Sequence, residues 1–370
     1  VVVVGGGFAG LAAGVRLARA GTAVTLLEAR PFLGGRAYSF TDPVTGDVVD
    51  NGPHALAGAY TEALDFLGEI GAAGKLVMQP RLAVAMADPV DGVGAIAAPR
   101  LPGPLQAPAA LLGYRLLARP ERLGVLVGAV RLVARARRRP GAIARATVAE
   151  ALAEAGQSAR ACTRFWYPLA TATLNEVPEA AAAAPFAAVL ERLFFAGARA
   201  ARFALPAVPL SALYADDARR AIERAGGVVR RGAPVRALLL AGERIAAVVL
   251  RDGARVAADA VVLSVPVRPL LALLPTALRD VSPFRALAGL GTSPIVSVHL
   301  WLDRRVAWGS PFLGLVAGRA QWLFDCGGTR VATVTSGARF WDGADDEAIA
   351  AEALADARAV VRPLAAAGVL

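Results

Sequence analysis

Residues able to do chemistry concentrate near the start of the chain. In "VVVVGGGFAGLAAG", Gly5, Gly7 and Gly10 supply the spacing G-x-G-x-x-G. Glycine at the first position permits a tight turn. At the second it lets main chain approach a phosphate, and at the third it lets a helix pack closely on a strand. A helix opening there aims free N–H groups and the positive end of its dipole at an anion. Glu28 follows at about the distance at which a carboxylate meets a ribose hydroxyl. A second glycine pair, Gly34-Gly35, precedes Arg36, whose guanidinium can hydrogen-bond phosphate. His54, in "VVDNGPHALAG", is one of only two histidines and sits just after a Gly-Pro step. Imidazole suits proton transfer near neutral pH. The other histidine, His299, falls in an alternating strand pattern and reads as a core residue.

A strand, a turn and a helix are needed to place these groups. Val1 to Val4 is a β-branched apolar run of the kind buried on both faces of a parallel sheet. Thr22 to Leu27 reads as the next strand and delivers Glu28 at its end. Strand, glycine turn, helix, second strand and carboxylate in register predict dinucleotide binding. That constellation leaves FAD and NAD open. The second glycine pass separates them, because the longer, bent FAD needs a further close approach of main chain and NAD does not. Gly5, Gly7, Phe8, Ala9, Gly10, Glu28, Ala29, Gly34, Gly35 and Arg36 are the expected contacts.

Bulk composition narrows the class. A chain of 370 residues suggests about two domains, and 56% hydrophobic residues exclude intrinsic disorder. The net charge is +10, yet Lys75 is the only lysine, so the basic balance is almost all arginine. With the abundant alanine, this reads first as a G+C-rich coding sequence. No basic stripe is interleaved with aromatics, which argues against nucleic acid. Cys162 and Cys326 fit neither a disulfide framework nor a zinc spacing, so no metal is expected and a reducing cytoplasm is the natural compartment. No uncharged apolar run reaches the roughly 18–20 residues of a membrane span. The best stretch, Ala286 to Leu302, is broken by Gly289, Gly291 and Pro294. The chain opens directly on a strand, with no signal peptide and no initiator Met, which predicts a few further residues ahead of Val1.

Turn signals at Gly226-Gly227, Gly242-Glu243 and Asp252-Gly253 divide 226–266 into short strands and hairpins. The expected organisation is discontinuous. FAD-binding segments lie at 1–78 and 211–268, with a helical insertion rich in Ala, Leu and Arg at 79–210. More of the substrate domain follows at 269–370, with strands in "SPIVSVHLWLD" and "AQWLFDC" and a helix from Asp345 to about Arg362. Resemblance to FAD-dependent flavoproteins, carried by the two glycine passes and Glu28, implies this organisation and an α/β fold class: a Rossmann-type FAD-binding domain, glutathione-reductase-like, with a mixed α+β substrate-binding domain.

The combination of G-x-G-x-x-G, Glu28 and Gly34-Gly35-Arg36 resembles the flavoprotein superfamily of amine oxidases and phytoene desaturases. More specifically, "DNGPHALAGAY", "RFWYPLATATLNEVPEAA", "LPAVPLSALYADDARRAIERAGG", "SPIVSVHLWLDR" and "GRAQWLFD" resemble the squalene-associated FAD proteins, the hydroxysqualene dehydroxylases of hopanoid biosynthesis. The likeness runs from Val1 to around Gly337. It implies FAD as cofactor and reductive removal of the allylic hydroxyl of hydroxysqualene to give squalene. It also implies that main chain near Val235 pairs with the adenine, and that the Asp50 to His54 loop crosses near the isoalloxazine, with Gly52, Pro53 and His54 beside it. Two departures stand out. Pro53 replaces an expected Gln, and the chain lacks the C-terminal segment that would return to the FAD domain with a Gly-Asp turn.

By the same resemblance His54 is either the general acid or a structural residue beside the flavin. In the second case water, Tyr60, Tyr167 or a substrate-domain carboxylate supplies the proton. Trp166 and Tyr167 either line the substrate tunnel or fill a helix core before Pro168. Asn175 and Glu176 either face substrate or close a turn. The stretch 100–139 carries leucine-rich faces with Arg115, Arg119, Arg122, Arg131 and Arg135 and ends in Arg137-Arg138-Arg139. It is a candidate for peripheral contact with the inner face of the plasma membrane, or a solvated arginine face over a core. The oligomeric state is not legible. Competing functions are a phytoene desaturase-like or amine oxidase-like flavoenzyme, and a non-catalytic FAD-binding polypeptide.

Overall fold

A computed structural model describes residues 1–370, the Pro104 side chain apart. The chain divides into two compact units, one comprising 1–54, 62–77 and 206–292, the other 55–61, 78–205 and 293–370. The first unit thus continues past 268 to Thr292, and the short stretch after His54 belongs to the second.

The first unit is built on a four-stranded parallel sheet. Its order is Val228–Arg230, Thr25–Leu27, Val2–Val4, Val261–Leu263. Val2, Val3 and Val4 are all buried, as a run of β-branched residues in a central strand must be. Burial of each such side chain contributes about 1.5–3 kcal/mol, which fixes this strand as the axis of the unit. The helix Phe8–Arg19 follows at once and lies beside the helix Leu210–Arg224. Gly14 makes that approach possible, since a Cβ there would meet Ile222 Cδ1 at 2.9 Å. Three antiparallel strands, Val235–Ala241, Arg244–Leu250 and Arg255–Ala257, form a meander whose apolar face packs on Val2, Val4 and Leu27.

The second unit carries a six-stranded mixed sheet. The order is Ile295–Trp301, Arg330–Ser336, Trp322–Asp325, Phe312–Leu315, Ala83–Asp88, Gly92–Ala97. The last two strands lie inside the stretch 79–210, expected as a helical insertion. They form a hairpin whose small residues pair across the strands, Ala83 with Ala97 and Ala85 with Ala95, and alanine there reads as helix in sequence. The helix Asp346–Val360 covers part of the sheet through Ala353 and Ala357. Helices from 103 to 190 enclose the largest core, around Trp166, Tyr114, Phe186 and Leu190.

Candidate functional site

The glycine turn after the first strand is shaped by contacts that differ from one glycine to the next. Gly5 has φ +108° and a Cβ there would sit 2.4 Å from Ser264 O, so only glycine fits. A Cβ at Gly10 would lie 1.9 Å from Gly5 O, which is the helix-on-strand contact expected of the third glycine. Gly7 is different. Its backbone is extended, and the nearest atom to a Cβ there is Gly35 Cα at 3.6 Å. Protein packing therefore does not demand glycine at 7. Gly7 N-caps the helix, no side chain caps it, and no acidic residue occupies the first turn. The turn offers backbone donors to an anion.

The second glycine pass lies directly against the first. Gly34 N–H donates to Gly6 O at 2.9 Å, and Gly34 and Gly35 both take positive φ, +119° and +57°. Glu28, buried at the end of its strand, joins the two. Its Oε2 accepts from Gly6 N–H at 2.6 Å and its Oε1 from Arg30 N–H at 2.8 Å. Each carboxylate oxygen keeps a further acceptor position, so these bonds orient the group without exhausting it. Glu28 O also accepts from Ala233 N–H at 2.8 Å, which brings the start of the Val235 strand to the same place. Arg36 is exposed, and Arg30 lies over the Phe32 and Tyr38 rings with its Nη1 3.2 Å from Gly35 O.

The loop bearing His54 is tied to this cradle by side chains that sequence reasoning passed over. Asn51 Nδ2 donates to Arg36 O at 2.9 Å and Asn51 N–H to Tyr38 O at 2.8 Å. Asp50 Oδ1 accepts from Ser39 Oγ at 2.6 Å and from Leu210 N–H at 2.9 Å, placing a carboxylate at a helix N-terminus. Ser211 and Ser39 exchange two more bonds, Ser39 N–H to Ser211 Oγ at 2.7 Å and Ser211 N–H to Ser39 Oγ at 3.1 Å. Tyr214, fully buried, donates its hydroxyl to Gly34 O at 2.7 Å and stacks its ring near Phe8, centroids 4.6 Å apart. Burial pushes the Tyr214 phenol well above its ordinary range, so it stays a donor. The only sequence signal for this set was the run "LPAVPLSALYADD", and no spacing rule points from it to Gly34.

His54 is exposed at the end of that loop. Its Nδ1 stands 2.7 Å from Gly52 O, so Nδ1 carries a proton in that contact. Gly52 has φ +82°. The other candidates belong to the second unit. Trp166 is core, with Nε1 donating to Gln157 Oε1 at 2.7 Å. Asn175 closes a helix in the left-handed region, accepting from Gly337 N–H and donating to Ser293 O, while Glu176 pairs with Arg339. His299 is partly buried opposite Ala332 in the large sheet.

A Rossmann-type sheet with two contiguous glycine passes and a strand-end carboxylate defines a dinucleotide-binding oxidoreductase. The chain belongs to the family of flavin containing amine oxidoreductases, whose profile matches residues 8–367, and is an FAD-dependent enzyme. It is 32% identical over 357 residues, 95% of this chain and 79% of the relative, to hydroxysqualene dehydroxylase of Rhodopseudomonas palustris. It is 25% identical over 384 residues, 96% of this chain and 78% of the relative, to 15-cis-phytoene desaturase of Synechococcus elongatus. Among solved structures, an oxidoreductase from Methanosarcina mazei matches with a TM-score of 0.73 at 17% identity, covering 97% of this chain and 84% of that one. Among the described residues no helix is long and apolar enough to cross a membrane.

Proposed function

We propose that this chain reductively dehydroxylates hydroxysqualene to squalene, with FAD held by Gly5, Gly7, Phe8, Ala9, Gly10, Glu28, Ala29, Gly34, Gly35, Arg36, Gly52, Pro53, His54 and Val235. The observation that carries the substrate is the 32% identity to a hydroxysqualene dehydroxylase, against 25% to a phytoene desaturase over the same share of the chain. The helix that opens at Gly7 without a side-chain cap or an acidic first turn fits the cofactor's phosphates. Reduced FAD, when bound, supplies hydride.

The chain's own residues do the rest. The C–O bond of an allylic alcohol breaks once its oxygen is protonated; water leaves, and the delocalised cation accepts hydride. The reaction consumes one proton and one hydride per molecule of water released. In this reading protonated His54 donates from Nε2 to the departing oxygen, while Gly52 O holds Nδ1–H and keeps the ring in place. Asn51 and Asp50 fix the loop that carries His54. Bulk water must be excluded, since it would recapture the cation. The reaction belongs on the cytoplasmic side, with the protein at the membrane that dissolves its substrate.

The discriminating experiment offers the purified chain three substrates under anaerobic conditions. Reduced FAD with hydroxysqualene yields squalene under this reading. Oxidised FAD reduced by phytoene, or by an amine, assigns the chain to a rival activity. Bound flavin that reacts with none of the three rules out the proposed substrate and both rivals.

A further inference from the structure

The helix Arg119–Arg138 has two apolar faces, and only one of them is used. Val125, Gly128, Leu132 and Val133 are buried in the second unit's core. Leu123, Val127 and Val130 lie on the opposite side, 57%, 46% and 55% exposed. At about 100° per residue, these three fall within about 60° of one another. Arg119 and Arg137 border that arc on one side and Arg131 and Arg138 on the other. Phe195, 50% exposed, lies beside Val130 on the wall of an open cavity of about 260 Å³, with Arg137 and Arg138 on the same wall. Leu105 and Leu112, on the neighbouring helix Gly103–Leu112, are exposed as well.

Charge selects the occupant of this surface. Residues 100–139 hold nine arginines and a single carboxylate, Glu121, whose Oε2 accepts from Ala118 N–H at the helix start. Part of that charge is consumed inside the protein. Arg122 binds Leu117 O and Leu112 O, Arg135 pairs with Glu154, and Arg137 with Glu191. Arg115, Arg119, Arg138 and Arg139 are exposed. A narrow apolar ridge between two rows of arginine matches a helix lying in the headgroup layer of an anionic bilayer, ridge toward the acyl chains and guanidinium groups toward phosphate. A second protein copy would meet the same excess of positive charge.

We propose that Leu123, Val127, Val130 and Phe195, flanked by Arg119 and Arg138, form a peripheral docking face for anionic phospholipid. This inference does not depend on the identity of the substrate.

Vesicle flotation of the FAD-loaded chain tests it. Phosphatidylglycerol-containing vesicles carry the protein up at low salt, and pure phosphatidylcholine vesicles do not. Combining Leu123→Ser, Val127→Ser and Val130→Ser weakens partitioning about tenfold or more. Arg119→Gln with Arg138→Gln weakens it too and reduces its salt dependence. Flavin content and far-UV circular dichroism, unchanged in both, exclude misfolding. Absence of flotation on anionic vesicles overturns the proposal, and so does flotation indifferent to both variants. Sedimentation showing a dimer that the serine variant dissociates, without any effect of lipid, assigns the face to a second copy instead.

Discussion

A Cβ built on Gly35 would lie 2.9 Å from Gly7 Cα, so the two glycine passes, 28 residues apart in sequence, touch through bare backbone. That contact makes one continuous cradle of two separate turns.

Gly7 and Gly10 therefore respond differently to alanine. Gly10→Ala drives a methyl into Gly5 O and destabilises the fold by about 2 kcal/mol or more, read as a lower urea midpoint. Gly7→Ala meets no protein atom closer than 3.6 Å and has a backbone that alanine adopts, so its midpoint stays within about 0.5 kcal/mol of wild type. In the proposed reading its flavin affinity falls at least about tenfold, because the methyl stands where main chain must come close to the pyrophosphate. Full flavin binding by Gly7→Ala contradicts this assignment.

Tyr214→Phe removes the hydroxyl that Gly34 O and Ala37 O share. Gly34 O keeps its bond from Ala37 N–H while the half-buried Ala37 O loses this donor, a cost of about 1 kcal/mol. The damage is local to the second glycine pass, so flavin dissociates faster from the variant. Stopped-flow release of FAD measures it, and an unchanged release rate argues that the loop is held by Gly34–Gly6 alone.

Why the cradle was legible and its supports were not follows from what each depends on. Gly5, Gly7, Gly10, Glu28 and Gly34-Gly35 act through local backbone geometry, which spacing encodes. Tyr214, Ser211 and Leu210 act across more than 150 residues on Gly34, Ser39 and Asp50, and only the packing of the helix Leu210–Arg224 brings them there. The same limit hid the hairpin at 83–97, whose alanine-rich strands exist because the sheet of the second unit continues through Phe312–Leu315. In the arginine-rich stretch the sequence showed the charges but not which were already spent on carbonyls and carboxylates.

Asp88 makes stability fall in acid. Burial alone would raise its carboxyl, but backbone N–H groups of Asp91 and Val90, with the Arg164 guanidinium, outweigh it and hold the group below the usual carboxylate range. A group depressed in the folded state stabilises above its unfolded value, near pH 3.9 for Asp, and that contribution disappears as pH falls through the folded value. Denaturation midpoints should therefore drop below about pH 4, and Asp88→Asn should flatten that limb while lowering stability at neutral pH. An Asp88→Asn profile parallel to wild type contradicts the assignment.

His54→Gln separates chemistry from binding. The contact of Nδ1 with Gly52 O is lost, but the Asn51 bonds that fix the loop remain, so most of the flavin is retained, while turnover falls about 10²–10⁴-fold if the imidazole is the acid. Wild-type turnover in His54→Gln would transfer the proton to water or to a tyrosine.

The most direct measurement of the whole account is an anaerobic single turnover. The chain, loaded with reduced FAD, is mixed with hydroxysqualene, and flavin reoxidation is followed alongside product analysis. Reoxidation is expected, with one squalene formed per flavin, carrying one hydrogen delivered from the flavin. Flavin that stays reduced in the presence of the alcohol, in a chain that demonstrably binds it, contradicts it.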